Sequence, residues 1–233
     1  MKIHNDFQQN SDAWFEARAG VITASEIDAL VTPTFKVSEG KGIKTYLAQK
    51  VAEWWLQAPL EKFDAFAMEQ GRILEEEAKP FYKLETGEDI TSIGFITSDD
   101  GTIGCSPDAI LEGRHGVEIK CPMAKTHTAY LLAGVVPPEY QPQIQFSLFV
   151  TGYASWRFMS YRRKFPPLIL TVERDPKAQA AIAAALAGFL PLFETAKARL
   201  LELNGGVRPA PPKATSGERP KFTWETDNSE ITP

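Results

Sequence analysis

Cysteine and histidine are scarce in this chain of 233 residues. The two cysteines, Cys105 and Cys121, are too few for a disulfide framework or for a four-cysteine zinc or iron-sulfur site. We expect both to act as small buried hydrophobic residues. The three histidines, His4, His115 and His127, include no pair with the helical spacing of a zinc site. A histidine-centred mechanism is therefore disfavoured.

The sequence also lacks long apolar runs and an excess of positive charge. We find no stretch that approaches the roughly 18 apolar residues of a membrane span, and the first ten residues have no apolar signal core. We therefore expect a soluble intracellular protein with no membrane association. The net charge of -5 argues against a protein that holds nucleic acid by general positive charge, although it permits local basic patches. A hydrophobic content of 43% is ordinary for one globular domain with a sizeable core.

Residues 104–121 form the stretch around which the rest of the chain is organised. A strand is predicted to end at Cys105, and a second short strand follows over 109–112. The glycines at 113 and 116 bound a turn, after which 117–121 form the return strand of a hairpin.

The charged face of this hairpin has a chemical use. Alternation along the return strand places Glu118 and Lys120 on one side, which they share with Asp108 across the hairpin. Two convergent carboxylates are destabilised unless a cation lies between them, and hard oxygen ligands suit Mg²⁺ or Mn²⁺. The lysine would orient or deprotonate an attacking water and offset charge on a phosphate. This pattern is typical of divalent-metal nucleases, and the alternative is an amphipathic hairpin with a charged outer face.

A second polar cluster lies near the N-terminus. A short helix is predicted to include Arg18, and the spacing of Thr23 and Glu26 predicts a capping box at the start of the next helix. Backbone donors there, the hydroxyls of Thr23 and Ser25, and the guanidinium of Arg18 would make an anion pocket. The alternative is that the hydroxyls only cap the helix and the arginine only pairs with an acid.

The remaining elements alternate between helices and strands. Helices are predicted over 43–56, 65–84, 124–133, 138–151 and 176–203, and strands over 90–97, 102–105, 154–161 and 168–174. Glu75 lies one turn after Arg72 and is expected to point inward, while Pro80 is expected to kink this helix or begin a new segment. After Asn204 the composition becomes rich in proline and glycine, which predicts a flexible tail over 204–233 behind a domain formed by 1–203.

The order of these motifs resembles the lambda exonuclease or YqaJ-like viral recombinase nucleases of the PD-(D/E)XK superfamily. The matching segments are 14–26, 71–75, 105–108, 118–122 and 140–147, in the family's order. The resemblance implies an α/β protein with a restriction-endonuclease-like core, in which a mixed central sheet is flanked by helices. It also implies an enzyme that degrades linear duplex DNA from its 5′ ends to 5′-mononucleotides and leaves a 3′ overhang for single-strand-annealing recombination.

The same resemblance implies roles for individual residues. Asp108 and Glu118 would hold Mg²⁺, or alternatively Mn²⁺, together with the backbone carbonyl of Ile119. Glu75 would act on a second metal through water. Lys120 would position the nucleophilic water. Gln143 would orient the scissile phosphate or the lysine, and Met68 would be an apolar wedge that splits the end base pair. The pocket for the terminal 5′-phosphate would be formed by Arg18, Thr23, Ser25 and Ser106.

Partners are implied in the same way. Several family members form a ring-shaped homotrimer around DNA, and they work with a single-strand annealing protein in the cytoplasm of a bacterium or a phage-infected host. Basic side chains would then line the channel, and the candidates are Lys36, Lys41, Lys44, Arg72 and the loop 162–164. Three alternatives stay open: an endonuclease or repair-type nuclease with the same core, a non-catalytic DNA-end-binding protein, and a phosphate-ester hydrolase that acts on small molecules.

Overall fold

The computed structural model describes residues 1–60, 65–112 and 114–210, with the backbone alone for 65–72. The predictions for the side chains of Met68 and Arg72, and for the tail beyond residue 210, lie outside the described residues. Within the described part, the α-helices are α1 (Asp12–Arg18), α2 (Lys41–Leu56), α3 (Ala65–Thr86), α4 (Ala124–Ala133), α5 (Gln141–Thr151) and α6 (Pro176–Leu203). Short 3-10 helices span Ala24–Ala29 and Pro138–Tyr140.

The strands form two sheets. They are β1 (Lys2–His4), β2 (Ile22–Thr23), β3 (Ile90–Thr91), β4 (Phe95–Thr97), β5 (Ile103–Cys105), β6 (Ala109–Leu111), β7 (His115–Lys120), β8 (Ser155–Ser160) and β9 (Leu168–Glu173). One sheet has the order β1-β4-β5-β2 and the other β3-β6-β7-β8-β9. Each is mixed, because β2 pairs with β5 and β7 with β8 in parallel while the other pairs are antiparallel. The predicted mixed α/β architecture is confirmed, with its strands divided between two sheets.

Helix α5 lies at the centre of the main hydrophobic core. Eight of its residues are buried, including Ile144, Phe146 and Leu148, so it is apolar on almost every side. Such a helix must be covered all round, and it packs against the 3-10 helix 24–29, strand β5 and α6. The site described below lies at the end of β7, over which the first turn of α5 passes.

Helix α6 corrects one expectation from the sequence. It is long and apolar enough to cross a membrane by length and composition alone, the one such helix in the described residues. Its buried side chains, however, recur at helical spacing and pack into the main core, as in a core helix. These side chains are Ala178, Ile182, Ala185, Leu186, Phe189 and Phe193.

Two local predictions differ from the structure, and one strand was missed. The segment after Thr23 is a 3-10 helix, and the Thr23 hydroxyl donates to the carboxylate of Glu26 at 2.6 Å instead of capping the backbone. Helix α3 continues through Pro80, so no new segment begins there, because Ala78 and Tyr82 on either side are fully buried in a second core and hold the chain helical. Strand β1 was not predicted, because three residues are too few to show alternation.

The first residues after α6 pack against the C-terminal end of α2. The guanidinium of Arg208 lies 4.6 Å from the centre of the Trp54 ring and donates to the Trp54 carbonyl, while Gln57 donates to the carbonyl of Pro209 at 3.2 Å. The first residues of the predicted tail therefore pack against the body of the protein.

Candidate active site and adjoining anion pocket

The hairpin of β6 and β7 brings Asp108, Glu118 and Lys120 together. The Asp108 amide donates to the carbonyl of Val117 at 3.1 Å, which sets the aspartate beside β7 at the point where β6 begins. Oδ2 of Asp108 then accepts from the amide of Ile119 at 2.5 Å. In a strand the N–H and C=O of one residue point to the same side, so the Ile119 carbonyl also faces the aspartate. Two carboxylates, a backbone carbonyl and a lysine thus converge at one end of the strand.

Glu118 is the most buried member of this group. It is 3% exposed, and its Oε1 accepts from Lys120 Nζ and from Gln143 Nε2, both at 2.6 Å. Both faces of β7 are therefore covered, which contradicts the alternative of an amphipathic hairpin with a charged outer face. The contact also means that Gln143 reaches the site from the first turn of α5 by binding a carboxylate.

The electrostatics of the group are those of a site short of positive charge. Burial raises the pKa of Asp108 well above its ordinary value, and repulsion from Glu118 and then Glu75 raises it further. Burial alone would lower the pKa of Lys120, but attraction by Glu118 and Asp108 outweighs it, so that pKa is raised. The lysine is therefore held protonated, and a further cation beside Asp108 would relieve the repulsion between the acids.

Glu75 approaches the group from α3. It lies one turn before Lys79, with 3.5 Å between the carboxylate and the ammonium, and is less exposed than Glu76. Burial raises its pKa, Lys79 lowers it, and Glu118 raises it again, so the two acids are close enough to interact. Among the described residues, however, no three acidic, histidine or cysteine side chains are close enough to hold a metal by themselves. Glu75 can take part only through an intervening water or after movement.

The donor set still fits a hard divalent cation. Among the contacts of the described residues, Oε2 of Glu118 and Oδ1 of Asp108 accept no hydrogen bond. The carbonyl of Ile119 faces the same side as the amide that Asp108 binds. Carboxylate and carbonyl oxygens are the ligands that Mg²⁺ and Mn²⁺ prefer. The site opens into a cavity of about 550 Å³, lined in part by Asp108, Glu75, Lys79 and Gln9.

A second polar group, close in sequence to the first, surrounds Arg18. The guanidinium donates to Ser106 Oγ and Ser25 Oγ, each at 2.9 Å, and more weakly to Thr23 Oγ1 at 3.4 Å. Ser106 is two residues before Asp108, so this anion pocket adjoins the carboxylate group. The structure brings together all four residues predicted to form the pocket, but Thr23 is buried and its hydroxyl hydrogen goes to Glu26. Ser106 Oγ only accepts in the contacts of the described residues, so its hydrogen is left for an anion. The hydroxyl of Ser25 can donate to Thr23 Oγ1, 3.3 Å away, and would turn from it to bind an anion.

Aromatic side chains hold the arginine in place. Its Cζ lies 4.2 Å from the centre of the Trp14 ring and 5.6 Å from that of Phe95. The Trp14 indole N–H donates to Ser106 Oγ at 3.1 Å. Burial lowers the pKa of Arg18 despite attraction by Glu26, although an arginine remains charged. A partly desolvated cation with oriented hydroxyls is a suitable partner for a phosphate.

Several residues at these two groups were missed from the sequence. Trp14 lies four residues before Arg18, so helical spacing could have revealed it. Tyr140, whose ring centre is 5.1 Å from Lys120 Nζ, and the buried Lys50 behind the anion pocket depend on tertiary contacts. Gln145, on the same helix as Gln143, lies away from the site, since it donates to the Glu173 carbonyl and accepts from the Asp175 amide.

The candidate DNA-binding cations have mixed environments. Three lysines in the segment before and at the start of α2 are exposed, namely Lys36, Lys41 and Lys44. In the loop 162–164, Arg163 pairs with Glu77 at 2.5 Å. Arg162 and Lys164 line a second, basic cavity of about 380 Å³ together with Phe165.

Known proteins resemble this chain in sequence and in fold. The family model described as YqaJ-like viral recombinase domain matches residues 13–154. The alkaline exonuclease LHK-Exo from Laribacter hongkongensis superposes with a TM-score of 0.73 at 28% identity, covering 84% of this chain and 98% of that one. Its complex with dAMP gives the same values. A phage-related exonuclease from Haemophilus somnus 129PT shares the fold, with a TM-score of 0.59 at 11% identity over 77% of this chain and 96% of that one. A comparison with curated protein sequences found no significant match.

These similarities confirm the predicted fold class, an α/β protein with a restriction-endonuclease-like core.

Proposed function

The chain belongs to the YqaJ-like viral recombinase domain family, and we propose that it is a Mg²⁺-dependent exonuclease that digests linear double-stranded DNA from the 5′ end. The products are 5′-mononucleotides and a 3′ single-stranded overhang. The observation that supports this most strongly is the convergence of Asp108, Glu118 and Lys120, with the anion pocket directly beside it. A relative with 28% identity is itself an alkaline exonuclease.

The metal, Mg²⁺ or Mn²⁺, would be held by Asp108, Glu118 and the carbonyl of Ile119. Bound there, it would polarise the scissile phosphate and stabilise the charge that develops on it. Lys120 would position the attacking water and hold its charge close to the phosphate oxygens. Gln143 fixes the rotamer of Glu118 through the 2.6 Å hydrogen bond, so its role is to orient a ligand. Glu75 would act from α3 through a water.

End recognition falls to the anion pocket. Arg18, Ser25 and Ser106 present a cation and two hydroxyls, which suit the terminal 5′-phosphate of a DNA strand. Thr23 supports the pocket by accepting from Arg18 while donating to Glu26. Because Ser106 and Asp108 belong to one short loop, a bound terminal phosphate would place the next phosphodiester close to the carboxylates. This arrangement favours release of one nucleotide at a time over cutting within a strand.

Assembly and partners complete the proposal. We propose a homotrimer that surrounds DNA, which is supported by the exposure of three apolar residues around α4, namely Met123, Leu132 and Val135. A single-strand annealing protein as partner, and action in the cytoplasm of a bacterium or phage-infected host, are proposed from family membership. Light scattering coupled to gel filtration tests the assembly, since a trimer has three times the chain mass of 25.8 kDa.

Digestion of linear and closed circular duplexes of the same sequence tests the activity. With Mg²⁺ present, the linear duplex should be converted to mononucleotides and the circle should stay intact. The Asp108→Asn variant should be inactive on both, while Glu112→Gln, which alters an exposed acid in the same hairpin, should behave as wild type. Cutting of the circle would indicate an endonuclease, and end binding without cutting would indicate a non-catalytic protein.

A further inference from the structure

A buried lysine lies behind the anion pocket and has no role in the chemistry described above. Lys50 belongs to α2 and is 2% exposed. Its Nζ contacts Oε2 of Glu26 at 2.7 Å and Oε2 of Glu53 at 2.8 Å. Removing an ammonium from water is energetically costly, and well-packed apolar residues often stabilise a fold as well as a buried ion pair does. Stability alone therefore gives no reason for a charged group at this position.

Both carboxylates join Lys50 to the wall of the pocket. The same Oε2 of Glu26 accepts from the Thr23 hydroxyl at 2.6 Å, and Oε2 of Glu53 accepts from the Gly20 amide at 3.2 Å. Thr23 and Gly20 lie in the segment that follows Arg18. This segment is attached to α2 directly through Glu53, and indirectly through Glu26, which itself pairs with Lys50. Gln49 completes the cluster by donating to Oε1 of both acids, at 3.1 and 2.9 Å.

Gly20 shows how closely this segment is held. Its φ of 76° is in the left-handed region, and a Cβ there would lie 2.7 Å from Cβ of Trp54 in α2. The pocket segment therefore has little freedom to move away from the carboxylates. Their negative charge is a fixed part of the environment of any bound anion.

Among Arg18, Lys50, Glu26 and Glu53, the charges balance only when Lys50 is counted. Arg18 and Lys50 provide two cations, and Glu26 and Glu53 provide two carboxylates. Both acids raise the pKa of Arg18 against the effect of burial, so their field reaches the guanidinium. Without Lys50 the two acids would outnumber Arg18, and the pocket would repel an anion. A terminal phosphate brings a charge of about −1.5 to −2, so it is especially sensitive to this balance.

We propose that Lys50 is a positioning residue that sets the sign of the 5′-phosphate pocket. By offsetting Glu26 and Glu53, it lets these acids order the Thr23 and Gly20 segment without repelling the phosphate. The inference rests on the proposed function, since it assumes that the pocket binds the 5′-phosphate. On this proposal, a residue of α2 controls the affinity for phosphorylated ends. Cutting of the phosphodiester takes place separately, at Asp108 and Glu118.

Charge variants of the cluster test the proposal through the preference for phosphorylated ends. We would measure kcat/KM on duplexes with a 5′-phosphate and with a 5′-hydroxyl, and compare their ratio. Lys50→Met should lower the ratio about tenfold, mainly through KM, because an unbalanced charge acts across a low-dielectric interior. Glu53→Gln should raise the ratio, since it removes one acid and can still accept from Gly20. The double variant should return the ratio to about the wild-type value. Lys177→Met removes the same charge from an exposed site and should change nothing.

The outcomes separate this inference from the proposed function. A wild-type enzyme that digests linear DNA with no preference for phosphorylated ends would overturn the phosphate pocket, and the role of Lys50 with it. A wild-type preference that both single variants leave unchanged would overturn the role of Lys50 alone. If Lys50→Met does not fold, Glu53→Gln decides the question, since a buried cluster with a purely structural role would not increase the end preference.

Discussion

Mg²⁺ should stabilise the protein through Asp108. The difference in stability between the wild type and the Asp108→Asn variant should therefore change sign between metal-free and metal-saturated conditions. The raised pKa of Asp108 means that its carboxylate is disfavoured in the metal-free fold. As pH rises, the unfolded chain releases this proton first, so the group has no effect below the ordinary aspartate pKa. It then destabilises the fold progressively as pH increases toward the raised value. Asp108→Asn removes the charge and can keep the hydrogen bond from the Ile119 amide.

The magnitude follows from linkage between metal binding and folding. At a free Mg²⁺ concentration about 100 times the dissociation constant, binding to the native state alone adds about 2.7 kcal/mol to the free energy of unfolding. For a domain of this size that corresponds to an increase in Tm of about 5 to 10 °C. In EDTA at pH 8, Asp108→Asn should be more stable than the wild type. In saturating Mg²⁺, the wild type should be the more stable of the two.

Differential scanning calorimetry across a Mg²⁺ titration measures both effects. Glu112→Gln is the matched control, because that acid is exposed and lies in the same hairpin. Its Tm should follow the wild type at every Mg²⁺ concentration. An equal Mg²⁺-dependent increase in the Tm of wild type and Asp108→Asn would refute the reasoning, since the metal would then bind elsewhere.

Four other outcomes are expected. Lys120→Gln should reduce kcat at least a hundredfold while the Mg²⁺-dependent increase in Tm remains, and loss of that increase would mean that the lysine holds the ligands rather than the water. Tyr140→Phe should keep kcat, whereas Tyr140→Leu should lower it several-fold because the ring face beside Lys120 is lost; equal rates would count against a role for the ring. Arg18→Gln should raise KM for 5′-phosphorylated ends by about 10-fold or more, with little change for 5′-hydroxyl ends, and an unchanged KM would exclude the arginine from end binding. In the absence of metal, the free energy of unfolding of the wild type should fall more steeply than that of Asp108→Asn between pH 5 and pH 9 in urea titrations, and parallel curves would contradict the raised pKa of Asp108.

The hairpin around the carboxylates could be predicted because its determinants are local. Alternation over a few residues, and a turn between the two strands, suffice to place Glu118 and Lys120 on one face of the hairpin and Asp108 on the same face of the partner strand. Helix α4 was predicted with the bounds that the structure has, because Pro122 precedes it and Gly134 follows it. Both the alternation and the flanking proline and glycine are signals that lie within or next to the element they predict.

The parts that could not be predicted depend on contacts between distant segments. Glu53 lies three residues after Lys50, and such a pair usually indicates a solvated helix face. Lys50 is instead covered by Glu26 and the segment before it, which are distant in sequence. The contact of Gln143 with Glu118 joins residues 25 positions apart. The pairing of β1 with β4 likewise joins distant segments, because three α-helices and a 3-10 helix lie between these strands in the chain. Sequence periodicity contains no information on such pairings.

The most direct test of the account uses one linear duplex with a 5′-phosphate at one end and a 5′-hydroxyl at the other, with the two strands labelled differently. In Mg²⁺, we predict that mononucleotides are released from the 5′ end of the phosphorylated strand, while the complementary strand remains as a 3′ overhang. Release of nucleotides from a 3′ end first, or of oligonucleotides from the interior, would contradict both the assigned polarity and the placement of the phosphate pocket beside the carboxylates.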